Sequence, residues 1–124
     1  MTAFDAERVS RTVTAALTGP GGIGLVINVF AALPGVAYTP ARRGMLRSQP
    51  EQLHIGDWRY EVTRDGRLSA AHVVGGIVIG EDILLAEAVG PHLARSLGQL
   101  VARYGPTVVP NIDAAVDALS AGAG

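Results

Sequence analysis

Apolar positions recur along this chain with two different periods, and each change of period marks an element. Over residues 3–18 the period is helical. Val9, Val13 and Leu17 repeat at i+4, Thr2 and Asp5 form a capping-box pattern, and Gly19-Pro20 ends the run. Residues 23–33 are apolar on nearly every side, with Asn28 as the one polar interruption. Ile, Val and Phe in that stretch suit a strand; its length and the Pro34-Gly35 stop suit a buried helix, which is the reading adopted. Residues 35–52 read as a long loop punctuated by Pro40, Gly44 and Pro50.

Period two follows. Trp58-Arg59-Tyr60-Glu61-Val62-Thr63 alternates, and Asp65-Gly66 is a two-residue hairpin signal. With Arg64 opposite Arg67, Trp58 faces Val73, Tyr60 faces Ala71 and Val62 faces Ser69, while the other face pairs Arg59 with His72 and Glu61 with Ala70. Gly75-Gly76 bends the chain into Ile77-Val78-Ile79, which makes or extends a strand. A helical turn is expected near Glu81-Asp82. Pro91 suits the first position of the next helix, with Leu93, Leu97, Leu100, Val101 and Tyr104 on one face. Asn111 is read as the cap of a last helix carrying Ile112, Val116 and Leu119, and residues 121–124 as a frayed tail. The pattern is that of a single α+β domain over residues 1–124: an antiparallel β-meander of two or three strands packed with about four helices.

Composition changes this picture in one respect. Residues 12–41 hold no charged side chain, and the whole chain is 17% charged against roughly 25% in ordinary domains. That deficit points to apolar surface covered by something else: a second copy of the chain, a protein partner or a small apolar molecule. The residues that would form such a seam or cavity wall are Leu25, Val26, Asn28, Val29 and Phe30. The expected state is a homo-oligomer. A net charge of −1 gives no case for nucleic acid. The absence of cysteine excludes disulfides and thiolate chemistry. An acidic start without a basic region argues against a secretory signal, and the apolar run of 23–33 falls short of the ~20 residues of a membrane span. Cytoplasmic location with little membrane contact is therefore expected.

Candidate chemistry is sparse. Gly19-Pro20-Gly21-Gly22-Ile23-Gly24 matches G-x-G-x-x-G, yet a helix rather than a strand precedes it and Pro20 lacks an amide, so a connector is the simpler reading. Arg59, Glu61 and His72 share a strand face in the register above. A histidine held by a carboxylate beside an arginine is a general-base arrangement, and a solvated charged face is the plain alternative. Arg42, Arg43 and Arg47 could hold an anion or simply solvate their loop. His54 and His92 have no acidic neighbour at ligand spacing, so neither a metal nor a cofactor is expected. Trp58 is the single tryptophan and reads as an anchor at the root of the hairpin.

The segments His72-Val73-Val74-Gly75-Gly76-Ile77-Val78-Ile79-Gly80 and Gly90-Pro91-His92-Leu93-Ala94-Arg95 resemble short uncharacterised proteins of GC-rich actinobacteria. All ten basic residues being arginine fits that origin. The resemblance contains no catalytic motif and implies no activity. The expected function is accordingly a non-enzymatic, self-associating domain that binds a protein partner or small apolar ligand. The alternative is a small cofactor-independent enzyme using His72, Glu61 and Arg59.

Overall fold

The computed structural model describes residues 3–44 and 48–123, with Arg43, Ser48 and Ala123 described at the backbone only. Helix α1 spans Ala6–Thr18 and α2 spans Gly22–Phe30. Seven strands follow: β1 Ala37–Thr39, β2 Arg42–Arg43, β3 Ser48–Gln49, β4 Gln52–Ile55, β5 Trp58–Val62, β6 Leu68–Val74 and β7 Ile77–Leu84. Helix α3, Ala86–Tyr104, then leads through a 3-10 turn at Pro106–Val108 into α4, Val109–Ala123. The class is α+β with four helices, as the pattern indicated, but the main sheet has five strands in the order β1-β4-β5-β6-β7, not two or three. β2 and β3 form a separate two-stranded ribbon. The shortfall was β1, inside residues 35–52 read as loop, and β4, which starts at the end of that range and in which Leu53 and Ile55 alternate with exposed or half-exposed neighbours.

Element boundaries also move. Asp5 is the cap of α1, its carboxylate accepting from the Arg8 amide at 3.1 Å; Thr2 lies outside the described residues. Glu81 and Asp82 belong to β7 rather than to a helical turn. Pro91 sits inside α3, not at its first position, and Asn111 lies within α4 instead of capping it. The last turn, where fraying is expected, is helical to Ala123.

The largest correction is the hairpin register. Paired residues are Trp58 with His72, Tyr60 with Ala70 and Val62 with Leu68, one position away from the expected pairing. The turn explains it. Thr63 and Arg67 close a three-residue loop in which the Gly66 amide donates to the Thr63 carbonyl at 3.0 Å and Gly66 takes φ +81°. The Arg67 amide donates to Thr63 Oγ1 at 3.0 Å, and Arg67 pairs with Asp65 at 3.2 Å.

One sheet face carries Leu53, Ile55, Tyr60, Leu68 and Ala70, all buried against the helices. The opposite face carries Gln52, His54, Arg59, Glu61 and Glu81, with Ser69 and Ala71 shielded between the longer side chains. The apolar run of 23–33 proves to be amphipathic. Val26, Ile27, Phe30 and Leu33 are buried, whereas Asn28 is exposed. α1 and α4 pack on α2 and cover that stripe within the chain itself.

α1 packs most extensively against α3. The helices cross closely at Gly90, where a Cβ would lie 2.5 Å from the Ser10 carbonyl oxygen and 2.6 Å from Thr14 Oγ1. Gly90→Ala gains about 1 kcal/mol of helix propensity and meets an overpacking cost of about 1–3 kcal/mol against backbone that cannot yield. The expected outcome is a net loss, seen as a fall of several degrees in the thermal midpoint. A raised midpoint would show that the two helices have room to spare.

Candidate functional site

Two features of the sheet stand out, and both follow from the register. On the helix-facing side Trp58 and His72 are cross-strand partners whose rings stack at 4.6 Å and 15°. Helix α3 presents His92 and Ser96, one turn apart, over the same strands. His92 meets Trp58 edge-on at 4.4 Å and Tyr60 at 5.4 Å. The fully buried Tyr60 hydroxyl lies 2.7 Å from His92 Nδ1 and also bonds the buried Ser96 hydroxyl.

Burial raises the Tyr60 pKa, so the phenol stays protonated. With neutral His92, Tyr60 donates to Nδ1 and Ser96 donates to Tyr60; every buried hydroxyl is then satisfied. Burial is the main cause that lowers the His92 pKa, with Arg95 adding to it and Asp82 opposing. The cluster therefore fixes Trp58 and joins α3 to the middle of the sheet. It holds no nucleophile beside an open cleft.

The second feature is the edge strand. β7 pairs with β6 on one side and, among the described residues, has no strand on the other. At its start, the β6–β7 hairpin reaches past the β4–β5 turn, where the Val73 amide donates to the Asp57 carbonyl at 2.7 Å. Gly75 and Gly76 form the tip with φ +58° and +81°. Around them Val74, Ile77, Val78 and Ile79 are exposed, Ile77 to 67% and Ile79 to 61%. The register shift between His72 and Val73 leaves Ile79 as the extra residue of a bulge. Farther along, Glu81 and Asp82 place two carboxylates on the strand, and Ile83 is 58% exposed.

The residues singled out from sequence are distributed as follows. Arg59 and Glu61 share the open face, with Arg59 Nε 3.4 Å from Glu61 Oε1 in an ion pair that lacks hydrogen-bond geometry. Glu61 also accepts from Gln52 at 2.7 Å, and Glu81 lies 4.0 Å from Arg59. His72 is on the other face, so the three are not brought together. His54 is instead the histidine opposite Arg59; burial lowers its pKa first, Arg59 second. Val26 and Phe30 are core residues, Leu25 and Val29 are half-buried, and Asn28 is exposed. Arg42 is exposed on the β2–β3 ribbon, and Arg47 lies outside the described residues. Gly19–Gly24 joins two helices, without the preceding strand that pyrophosphate binding needs. Among the described residues no three His, Asp or Glu side chains group as metal ligands. Among those residues, too, no helix is long and apolar enough to cross a membrane.

Sequence reasoning missed the His72–Trp58–His92 contact because it placed Trp58 opposite Val73. The exposed tip was visible as Val73-Val74-Gly75-Gly76-Ile77-Val78-Ile79, an apolar stretch split only by a turn.

A five-stranded antiparallel meander, covered by helices on one face and ending in an apolar edge hairpin, defines an α+β domain. Over residues 1–121 the chain matches the family described as Domain of unknown function (DUF5073), and it belongs to that family. No curated protein and no solved structure matches it.

The two lowered histidines set a sign for pH dependence. His54 and His92 both titrate below the unfolded-state value of about 6.5, so the unfolded chain binds more protons as the pH falls. Their contribution is complete above that value and is lost as the pH drops from it towards the folded-state values. Followed by NMR, the His92 ring should titrate with a midpoint below 6.5, and His92→Gln should flatten the fall in thermal midpoint between about pH 6.5 and 5. A ring midpoint at or above 6.5 would contradict the buried, neutral arrangement.

Proposed function

We propose that this chain is a non-enzymatic self-association domain of the cytoplasm, and that the β6–β7 hairpin tip is the surface through which two copies meet. The observation that carries the reading is the exposure of Val74, Ile77, Val78 and Ile79 on an edge strand. Sheet edges are ordinarily blunted by lysine, proline or a covering segment. This tip has neither lysine nor proline, and its neighbours Gly75 and Gly76 leave the apolar side chains in water.

A second copy is the occupant that fits. An uncharged apolar patch meets its own copy about a twofold axis without charge matching, and the pair is closed. Glu81 and Asp82 restrict the geometry, because a twofold centred on them would bring like carboxylates face to face. The contact therefore centres on the tip. The apolar run of 23–33 contributes less than the sequence suggested, since its buried stripe is already covered by α1 and α4. The all-arginine composition supports a GC-rich bacterial source for the chain.

Ile77→Ser with Ile79→Ser alters only exposed side chains, so the fold and thermal midpoint should hold. Sedimentation equilibrium at high micromolar concentration should show a dimer for the parent chain and a monomer for the double variant. A monomeric parent, or a double variant that still dimerises, would overturn the proposal.

A further inference from the structure

A cavity of about 540 Å³ opens at the far end of β7 from the tip, between the α1–α2 connection, the Gly66–Arg67 turn and the start of α3. Its walls are Leu17 and Ile23 on the helical side, Leu68, Leu84 and Leu85 on the sheet side, and Val89 of α3. The volume falls within the range of small-molecule sites, whose walls are mostly apolar with a few placed polar groups. Here one charged side chain lines the cavity, that of Arg67. Its Nε is 3.2 Å from Asp65 Oδ2. Among the described residues its two terminal nitrogens have no hydrogen bond or ion pair, so the fork retains donors for a second anion.

We infer that this cavity binds a single-chain amphiphile with a carboxylate head, the hydrocarbon lying among Ile23, Leu84, Leu85 and Val89 and the head meeting Arg67. Two observations favour that class over a wholly apolar molecule or a cation. Leu85 is 64% exposed at the cavity wall, which a hydrocarbon chain would cover. The ionic side chain that lines the cavity is a guanidinium, whose terminal nitrogens can receive a carboxylate by paired hydrogen bonds while Asp65, outside the lining, holds its Nε. The inference is independent of self-association, because the tip residues 74–79 lie at the opposite end of the strand and line no part of the cavity.

The test uses the full chain, uniformly labelled with 15N and titrated with decanoate below its critical micelle concentration. Decanol and decyltrimethylammonium serve as head-group controls. Saturable amide shifts are expected at Leu68, Leu84, Leu85 and Val89, with decyltrimethylammonium the weakest binder. Arg67→Gln, at an exposed position that leaves the core intact, should weaken decanoate by about tenfold and leave decanol unchanged, as loss of a charge-assisted bond predicts. Leu85→Glu should abolish decanoate binding by placing a carboxylate in the wall. The inference is overturned if no saturable shift occurs at these residues, or if Arg67→Gln binds decanoate as well as the parent chain does. Shifts confined to residues 74–79 and lost in the Ile77→Ser, Ile79→Ser variant would also overturn it, by showing adsorption to the apolar tip.

Discussion

The three-residue turn at Arg64, Asp65 and Gly66 is the constraint on which the rest of this structure depends. Side chains alternate across a sheet, so a shift of one residue at a turn moves every side chain of the following strand to the opposite face. The loop is set by Gly66, whose positive φ is open to glycine, and by Thr63, which closes it with both its backbone and its hydroxyl. With Thr63 opposite Arg67, His72 rather than Val73 meets Trp58, and Leu68 and Ala70 rather than Ser69 and Ala71 join Tyr60 on the helix-facing side. A two-residue turn would have left the pairing of Tyr60 with His92 and Ser96 intact on β5 while removing His72 from Trp58. The contact that ties α3 to the sheet thus combines a local turn with a helix docked 32 residues along the chain.

The same layering explains where apolar surface is left over. Four helices and one sheet face bury the stripes of α1, α2, α3 and α4 against one another, so the apolar stripe of the run without charges lies inside the domain. Among the described residues the sheet has no second helical layer. Its open face is kept wet by Gln52, His54, Arg59, Glu61 and Glu81. β7 keeps several large apolar residues exposed at a free edge, and the carboxylates on it sit away from the tip. Charge protection is therefore concentrated where Glu81 and Asp82 lie, whereas at Ile77 and Ile79 the edge has only the bulge, which is the arrangement of a contact surface with a defined extent.

Much of the fold was legible in the sequence, and the failures have physical causes. Helix α1 could be read because its i+4 apolar spacing and Gly-Pro stop agree, whereas α2, where strand and helix composition competed, was read from its length and the Pro-Gly stop. The β5–β6 hairpin could be read from its alternation, but not its register: Asp65-Gly66 serves a two-residue and a three-residue loop equally well, and Thr63 decides between them through its hydroxyl bonds. β4 escaped notice because four residues are too short for a period to show against Pro50 and Gly56. Pro91 misled because the first turn of α3 has no side-chain cap to mark its start. Of the candidate site, the Arg59–Glu61 pair survives as neighbours two apart on one strand, whereas His72 needed the register. The charge deficit signalled exposed apolar surface but carried no position, and the segment it was assigned to was the longest apolar run rather than the least covered one.

Self-association through the hairpin tip is most directly examined by isotope-filtered NOE spectroscopy on an equal mixture of methyl-labelled and unlabelled chains. Intermolecular cross-peaks are expected from the methyl groups of Val74, Ile77, Val78 and Ile79. Cross-peaks confined to Leu25 and Val29 of α2, or none at a concentration where the protein is dimeric, would contradict it.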